Sequence, residues 1–178
     1  MTAQTTTARM PSGQARPARE PGSFEYAIYI CTTTEKLWAA LTLNELRKHW
    51  WRGHTVETDW KPGSAIIGRF GDGSPEFKGR VLESDRPRAL AWEVEEINWS
   101  DEYAGDPPSR VSFTIEGFGP LARLTLRNEA SPKLIQLVSG GWPAILSSLK
   151  SLLETGNPLP LDLVFGPERN PAGDQPSA

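Results

Sequence analysis

The sequence is poor in the residues that mark several common protein classes. Among its 178 residues there is one cysteine, Cys31, which excludes an internal disulfide and a cysteine-rich metal site. No run of about 18 apolar residues occurs, so no segment is expected to span a membrane. The first residues also lack the apolar stretch of a secretory signal. Together these absences favour a cytoplasmic location.

There is also no surplus of charge of either sign. The chain has 19 Lys and Arg against 22 Asp and Glu, a formal net charge of -3 at pH 7. Its basic residues are dispersed among acidic ones, whereas a nucleic-acid-binding face concentrates Lys and Arg. We therefore expect neither nucleic acid nor an anionic membrane surface as a partner.

Groups that could bind a metal are scarce. A metal at His49 and His54 would need a third ligand, such as Glu57 or Asp59, and this spacing is not that of a known metal site. Neither a metal nor a cofactor is therefore predicted. The two histidines are interpreted as surface or capping residues, with a polar position at the rim of a pocket as the alternative.

No catalytic residue is predicted either. The nucleophile motif Gly-x-Ser-x-Gly is absent, and Cys31 has no neighbouring cation in sequence to activate its thiol. Three glutamates alternate with apolar residues, as on the solvated face of a strand: Glu93, Glu95 and Glu96. The strand arginines are interpreted in the same way, with an inward-facing position that binds an acidic ligand group as the alternative: Arg69, Arg80, Arg123 and Arg127.

The two ends of the chain differ from its middle. Residues 1–23 have almost no large apolar side chains and are predicted to be disordered. Residues 157–178 contain five prolines. Within them, residues 158–165 carry apolar side chains that could dock on the domain, and the chain beyond Gly166 is expected to be loose. The folded domain is expected to span residues 24–156.

Apolar residues at alternating positions predict a series of strands. Phe24–Ile30 is the first, with apolar side chains on one face. Two short helices follow; the first has a threonine cap, and the second is capped by Thr42 or Asn44 and ends near His49. Later strands occur at short spacing, and the last two form the clearest hairpin: 64–71, 77–84, 88–96, 111–116 and 122–127.

The last part of the domain predicts an amphipathic helix that ends at Gly156. Its apolar residues recur at spacings of three and four: Trp142, Ile145, Leu146, Leu149, Leu152 and Leu153. Ser131 followed by Pro132 is one helix-start signal, and a helix from there would be bent at Gly140–Pro143. A start at Pro143 avoids the cost of about 3 kcal/mol for a proline inside a helix. The sequence leaves both starts open.

The order of elements is a strand, two short helices, five or six antiparallel strands and one long helix. This order predicts an α+β fold in which the long helix covers one face of the sheet. An antiparallel sheet commonly has one dry face, and here a single helix is available to cover it. A gap between the sheet and the helix end is expected.

Five segments of this chain resemble one known family. It is the activator-of-heat-shock-ATPase-homologue-like branch of the START-like superfamily, also called SRPBCC or helix-grip. The segments are TTTEKLWAALT, LRKHWW, GRVLESDRPRALAWEVE, RLTLRNEA and GGWPAILSSLKSLLETG. The similarity covers about residues 24–156. It implies a curved antiparallel sheet wrapped around the C-terminal helix, a cavity between them, and hydrophobic small-molecule binding in many relatives.

The aromatic residues supply the candidate binding site. Seven tryptophans are many for this length, and ligand pockets are mostly apolar. The loop that begins INWSDEY is expected to close the cavity. The alternative is an ordinary aromatic core. The candidate ligand-binding residues are Trp51, Phe70, Phe77, Trp92, Phe113, Trp142, Ile145 and Leu149.

Three functions follow from these observations. The aromatic residues and the lack of a catalytic set favour a module that binds an apolar or amphipathic small molecule. The resemblance also implies two alternatives. One is a stress- or chaperone-associated protein with a protein partner, because the family name comes from co-chaperones of the ninety-kilodalton heat-shock chaperone. The other is an enzyme of the cyclase or hydrolase type that acts in the same cavity.

Overall fold

The computed structural model describes residues 22–98, 103 and 105–167. The expectation of a disordered N-terminal tail therefore falls largely outside the described residues, as does that for the chain beyond residue 167. The elements are β1 (Gly22–Ile30), α1 (Thr34–Thr42), α2 (Asn44–Trp50), β2 (Thr55–Glu57), β3 (Ala65–Arg69), β4 (Pro75–Asp85), β5 (Ala89–Ile97), β6 (Ser109–Phe118), β7 (Leu121–Ala130), α3 (Pro132–Thr155) and α4 (Asp162–Phe165).

The strands form one antiparallel sheet, in the order β1-β7-β6-β5-β4-β3-β2. The sheet is curved, and the long helix α3 packs against it, so the predicted α+β helix-grip fold is confirmed. The hairpin of β6 and β7 shows why the sheet has a dry face. Phe113 pairs with Leu126 and Ile115 pairs with Leu124, and all four are buried. Alternating residues on the same strands remain at the surface.

Strand β4 is interrupted by two register shifts in its pairing with β5. One lies at Gly79, where a Cβ atom would collide with the backbone carbonyl of Glu93. Only glycine permits this close approach of two strands. A bulge of this kind bends its strand and increases the local twist, and it contributes to the curvature that holds the sheet away from α3.

The C-terminal end of α1 is closed by side chains. The carbonyl oxygens of its last three residues accept hydrogen bonds from the Trp50 indole, the Arg47 guanidinium and the Trp60 indole, at 3.0, 2.7 and 3.0 Å. These carbonyls have no partner within the helix. A cation at this end also interacts favourably with the helix dipole, which accounts for the position of the buried Arg47 side chain.

Helix α2 begins differently from the prediction. Neither Thr42 nor Asn44 caps it: the N-cap is Leu43, which makes no side-chain capping bond. The Thr42 hydroxyl donates instead to the Trp38 carbonyl, at 2.8 Å. The Asn44 amide pairs with the backbone of Val56 in both directions, at 2.8 and 2.9 Å. Asn44 therefore holds α2 against β2, a short strand that the sequence analysis did not predict.

Helix α3 is one continuous helix that contains Pro143. Of the two starts left open, the structure has the one at Pro132, with the Ser131 hydroxyl accepting from the Leu134 amide at 3.3 Å. Gly156 ends the helix with a φ of 80°, a left-handed conformation that glycine adopts without strain. Gly140 therefore lies inside the helix, on a segment that packs across the sheet.

The first boundary of the domain differs from the prediction. Strand β1 begins at Gly22, two residues before the predicted start, and Gly22 pairs with Ala130 of β7. After α3, residues 157–167 stay on the domain and include α4, which agrees with the docking considered for residues 158–165. The Ser148 hydroxyl accepts a hydrogen bond from the Leu159 amide at 3.1 Å, and Leu161 is buried. We call residues 157–167 the C-terminal strap.

Candidate ligand-binding cavity

A cavity of about 1510 Å³ lies between the inner face of the sheet and α3. The space is open to solvent on one side, and it is larger than the about 300–1000 Å³ of usual drug-sized ligand pockets. Strands β4, β5 and β6 supply one wall, α3 the opposite wall, and the segment after α2 one end. The curvature of the sheet and the position of α3 together create this space.

Aromatic rings form much of the cavity wall. The rings of Trp51 and Trp142 meet edge to face, with their centroids 4.9 Å apart. Six of the eight predicted residues line the cavity: Trp51, Phe70, Phe77, Trp92, Trp142 and Ile145. Contacts of this kind fix the rings and leave apolar faces towards a ligand.

The other two predicted residues are not part of the cavity lining. Phe113 lies behind the wall, with its ring 5.6 Å from Trp92 and 5.9 Å from Trp142, and it is 1% exposed. Leu149 is completely buried, one turn or more beyond the part of α3 that lines the cavity. Both residues are core residues that support the wall, since the period-2 and helical patterns mark the buried face without showing where the cavity ends.

The glycines of α3 widen the cavity. Gly140 and Gly141 both line it. A Cβ atom at Gly140 would have no atom within 4 Å, and one at Gly141 would come no closer than 3.9 Å to the Phe165 ring. The missing side chains therefore leave open space at the cavity and do not serve a close contact with the sheet.

A polar site interrupts the aromatic wall. His54 Nδ1 lies 2.9 Å from Glu76 Oε2, and the two side chains are 14% and 7% exposed. Both residues line the cavity. The imidazole is held by rings on two sides: it stacks on Trp51 with centroids 6.0 Å apart, and it meets the edge of Phe70 at 5.3 Å. The position and orientation of His54 are therefore fixed.

A buried arginine lies behind this polar site. The Arg47 guanidinium is close to four tryptophan rings, at 4.8–6.0 Å from the centroids of Trp50, Trp51, Trp60 and Trp92. Burial lowers the pKa of Arg47 from 12.5 to about 10, whereas the negative charge of Glu76 acts in the opposite direction. The tryptophan faces and the α1 carbonyl replace part of the hydration that the cation loses.

The C-terminal strap completes the exposed side of the cavity, where Phe165 and Pro167 contribute to its lining. Arg52 holds the strap: its Nη2 donates to the Gly166 carbonyl at 2.9 Å and lies 3.5 Å from Asp162 Oδ1. The guanidinium also lies over the Phe165 ring, 5.3 Å from its centroid. Arg52 itself has a φ of 47°, a left-handed conformation that is uncommon for a residue with a side chain.

Most of the other candidate polar residues lie away from the cavity. His49 is exposed on α2, as expected for a surface histidine, whereas His54 lines the cavity. Glu95 and Glu96 form exposed ion pairs with Arg80 and Lys78. The remaining strand arginines pair with acidic residues, in the pairs Arg69–Glu57, Arg123–Glu116 and Arg127–Glu129.

Three parts of the site were not predicted from the sequence: Glu76, the buried position of Arg47, and the strap contact of Arg52. The spacing of Arg47 from Trp50 and Trp51 is three and four residues, which places these side chains on one helix face. That spacing was the available signal for Arg47. The loop expected to close the cavity is only partly described: Ile97 and Asn98 line the cavity, and residues 99–102 fall outside the described residues.

The described residues contain neither a metal-binding cluster nor a membrane-spanning helix. In residues 22–98, 103 and 105–167, no group of three His, Cys, Asp or Glu side chains is arranged to hold a metal ion. No helix in that part of the chain is both long enough and apolar enough to cross a membrane.

A curved antiparallel sheet around one long helix, with a cavity between them, defines a helix-grip domain of the START-like class. Comparison with known families then gives the branch. The family described as "Activator of Hsp90 ATPase homolog 1-like protein" matches residues 32–154, and the chain belongs to this family. The predicted resemblance is thereby confirmed. None of the curated proteins compared matches the chain.

Three solved structures illustrate the shared fold. The crystal structure of CalU16 from Micromonospora echinospora has 19% identity and a TM-score of 0.63, covering 80% of this chain and 83% of that one. The Aha1 dimer from Colwellia psychrerythraea has 22% identity and a TM-score of 0.60, with 76% and 98% covered. DynU16, a putative protein of the dynemicin biosynthetic locus, has 19% identity and a TM-score of 0.62, with 76% and 48% covered. At such low identities, the TM-scores show that the fold is shared and nothing more.

Proposed function

We propose that this protein binds an apolar or amphipathic small molecule in the cavity between the sheet and α3. The observation that carries the proposal is the cavity itself, about 1510 Å³ with a largely aromatic and aliphatic lining. A well-formed apolar cavity with a few polar groups is the usual form of a small-molecule site. Membership of a family with a START-like fold supports a ligand-binding role in general.

The glycines of α3 support the same proposal. Glycine inside a helix costs about 1 kcal/mol relative to alanine, and at Gly140 no close contact requires it, because a Cβ atom there would have no neighbour within 4 Å. Gly140 is exposed and Gly141 is half-buried, so the two glycines leave open space at the mouth of the cavity.

Three tryptophans in the lining make binding measurable. Trp51, Trp92 and Trp142 all line the cavity, so a bound molecule changes their fluorescence. We expect native mass spectrometry of protein purified from its own host to detect a retained small molecule. We also expect saturable quenching of tryptophan fluorescence by 1-anilinonaphthalene-8-sulfonate, which is a general probe of apolar sites.

A matched pair of variants locates the binding. Gly140→Leu adds a side chain in the cavity and is expected to weaken binding of the probe at least tenfold. Gln136→Leu adds a leucine to the same helix at an exposed position outside the cavity lining and is expected to leave binding unchanged. Equal binding by the two variants, or no saturable binding by the wild-type protein, would contradict the proposal.

A further inference from the structure

The polar site of the cavity limits which ligand fits, and this inference rests on the function proposed above. We propose that the ligand is an aromatic alcohol or phenol whose hydroxyl group donates a hydrogen bond to Nε2 of His54. The proposal depends on three features of His54: the partner of each ring nitrogen, the charges around the ring, and the aromatic surfaces beside it.

The two ring nitrogens of His54 have different surroundings. Nδ1 is 2.9 Å from the Glu76 carboxylate, which can only accept when it is ionised, so Nδ1 carries the hydrogen. Among the described residues, Nε2 has no protein hydrogen-bond partner. Nε2 is also accessible, because the fully buried side-chain atoms that lack a partner do not include it. In a residue that lines the cavity, Nε2 is therefore the nitrogen available to a ligand.

The Glu76 carboxylate interacts with two groups: it bonds to His54, and its charge also acts on the buried Arg47. Arg52, which also lines the cavity, is already paired with Asp162 and the Gly166 carbonyl of the strap. A neutral imidazole with hydrogen on Nδ1 has a lone pair on Nε2 and accepts a hydrogen bond.

Asp72, a second carboxylate of the cavity lining, is exposed, and it already accepts hydrogen bonds from the Ser74 amide and hydroxyl, at 2.8 and 2.6 Å. Water screens the charge of such an exposed group. A ligand carboxylate has no hydrogen to donate to Nε2, and it would bring a second anion close to the buried Glu76. A ligand hydroxyl group can donate to Nε2 without adding a charge.

The surfaces beside His54 indicate an aromatic ligand. Trp51 stacks on one face of the imidazole, and the ring of Phe70 lies edge-on to it. The next residue of β4 after Glu76 is Phe77, which also lines the cavity. A flat apolar molecule that reaches Nε2 therefore lies among aromatic side chains, with which offset and edge-to-face contacts are favourable.

The test compares two probes that differ at one atom group. 2-Naphthol carries the hydroxyl hydrogen, and 2-methoxynaphthalene replaces it with a methyl group. We expect the wild-type protein to bind 2-naphthol roughly tenfold more tightly, as for one buried hydrogen bond. 2-Naphthol also becomes a strong acid when excited, so its emission is expected to shift to that of the naphtholate when His54 accepts the proton.

Two substitutions provide the controls. His54→Phe keeps a ring between Trp51 and Phe70 but has no acceptor, so it is expected to bind both probes equally and to lose the naphtholate emission. His49→Phe changes the other histidine, which is exposed on α2, and is expected to behave as the wild-type protein does. If His54→Phe does not fold, His54→Leu, which also lacks the acceptor, takes its place.

The outcomes separate this inference from the proposed function. Equal affinity of the wild-type protein for both probes, without naphtholate emission, overturns the inference while small-molecule binding stands. A preference for 2-naphthol that persists in a folded His54→Phe variant also overturns it. If neither probe binds, the inference is overturned, and the proposed function is overturned as well only if 1-anilinonaphthalene-8-sulfonate also shows no saturable binding.

Discussion

Replacing Arg47 tests whether its buried charge stabilises the fold. Arg47→Met keeps a long side chain among the tryptophan rings but removes the guanidinium. Its hydrogen bond to the Leu41 carbonyl, at 2.7 Å, is lost. The substitution also leaves Glu76 buried without its neighbouring cation. We expect the free energy of unfolding to fall by about 3 kcal/mol.

This magnitude is taken from the net cost of removing one member of a buried ion pair, about 3–5 kcal/mol. That net cost already contains the lost hydrogen bond and the effect of leaving Glu76 without its cation. The lower end applies because burial of the cation is itself unfavourable: it lowers the pKa of Arg47 from 12.5 to about 10, and methionine avoids this desolvation.

Urea denaturation at pH 7 measures the change. A double-mutant cycle with Glu76→Gln isolates the part due to the buried carboxylate, and Arg47→Met in that background is expected to cost about 1–2 kcal/mol less. Lys48→Met removes a cation from an exposed neighbouring position and is expected to change stability by less than about 0.5 kcal/mol. An Arg47→Met protein as stable as the wild type would refute the reasoning, because the buried cation would then have no net stabilising role.

Three further predictions follow from single features of the structure. Gly140→Ala is expected to raise the free energy of unfolding by about 1 kcal/mol, since open space surrounds this helical position. Gly79→Ala is expected to lower the free energy of unfolding, because its Cβ would collide with the Glu93 carbonyl. Urea denaturation of both variants measures the difference. Arg52→Ala removes the contacts to Asp162 and Gly166, and faster hydrogen exchange of residues 162–166 with an unchanged rate in the sheet is expected. Hydrogen bonds, first from Ser64 and then from the Lys61 amide, lower the pKa of Asp59 from 3.8 to about 2. NMR titration should show this carboxyl still charged at pH 3 in the folded protein. Its stabilising effect is present above pH 3.8 and is lost as the pH falls from there through about 2, and Ser64→Ala should move the pKa back towards 3.8.

The sequence predicted the elements whose signal is local. Gly156 was predicted to end α3, and it does so in a left-handed conformation, because capping depends on residues a few positions apart. The start at Ser131 and Pro132 was one of the two starts that the sequence left open. The hairpin of β6 and β7 followed from strict alternation. In each case, residues within the same short segment determine both the buried face and the ends of the element.

Features that depend on distant residues were missed or wrong. Asn44 has the side chain of a helix cap, but its amide bonds to the backbone of Val56, twelve residues away. Arg47 was not distinguished from its exposed basic neighbours, since its burial depends on Trp60 and on the end of α1. The role of Glu76 was not predicted, because an acidic residue between a turn and a strand is common and gives no sign of burial. These roles arise only when the sheet brings separate elements together.

The cavity residues were predicted in part for the same reason. The alternation of β5 and the helical spacing of α3 identified Trp92 and Trp142 as inward-facing, and both line the cavity. The same patterns included Phe113 and Leu149, which are packed in the core. Hydrophobic periodicity separates inside from outside, but a wall residue and a core residue have identical periodicity, and only the spacing between the sheet and α3 distinguishes them.

The C-terminal strap begins beyond residue 154, where the family match ends, yet Phe165 and Pro167 help to line the cavity. The walls of the cavity and its exposed side therefore come from different parts of the chain. Under the proposed function, substitutions in residues 157–167 are expected to change which molecules enter and how quickly they leave, without altering the packing of α3 on the sheet. Selectivity could then evolve in the strap while the architecture of the family remains constant.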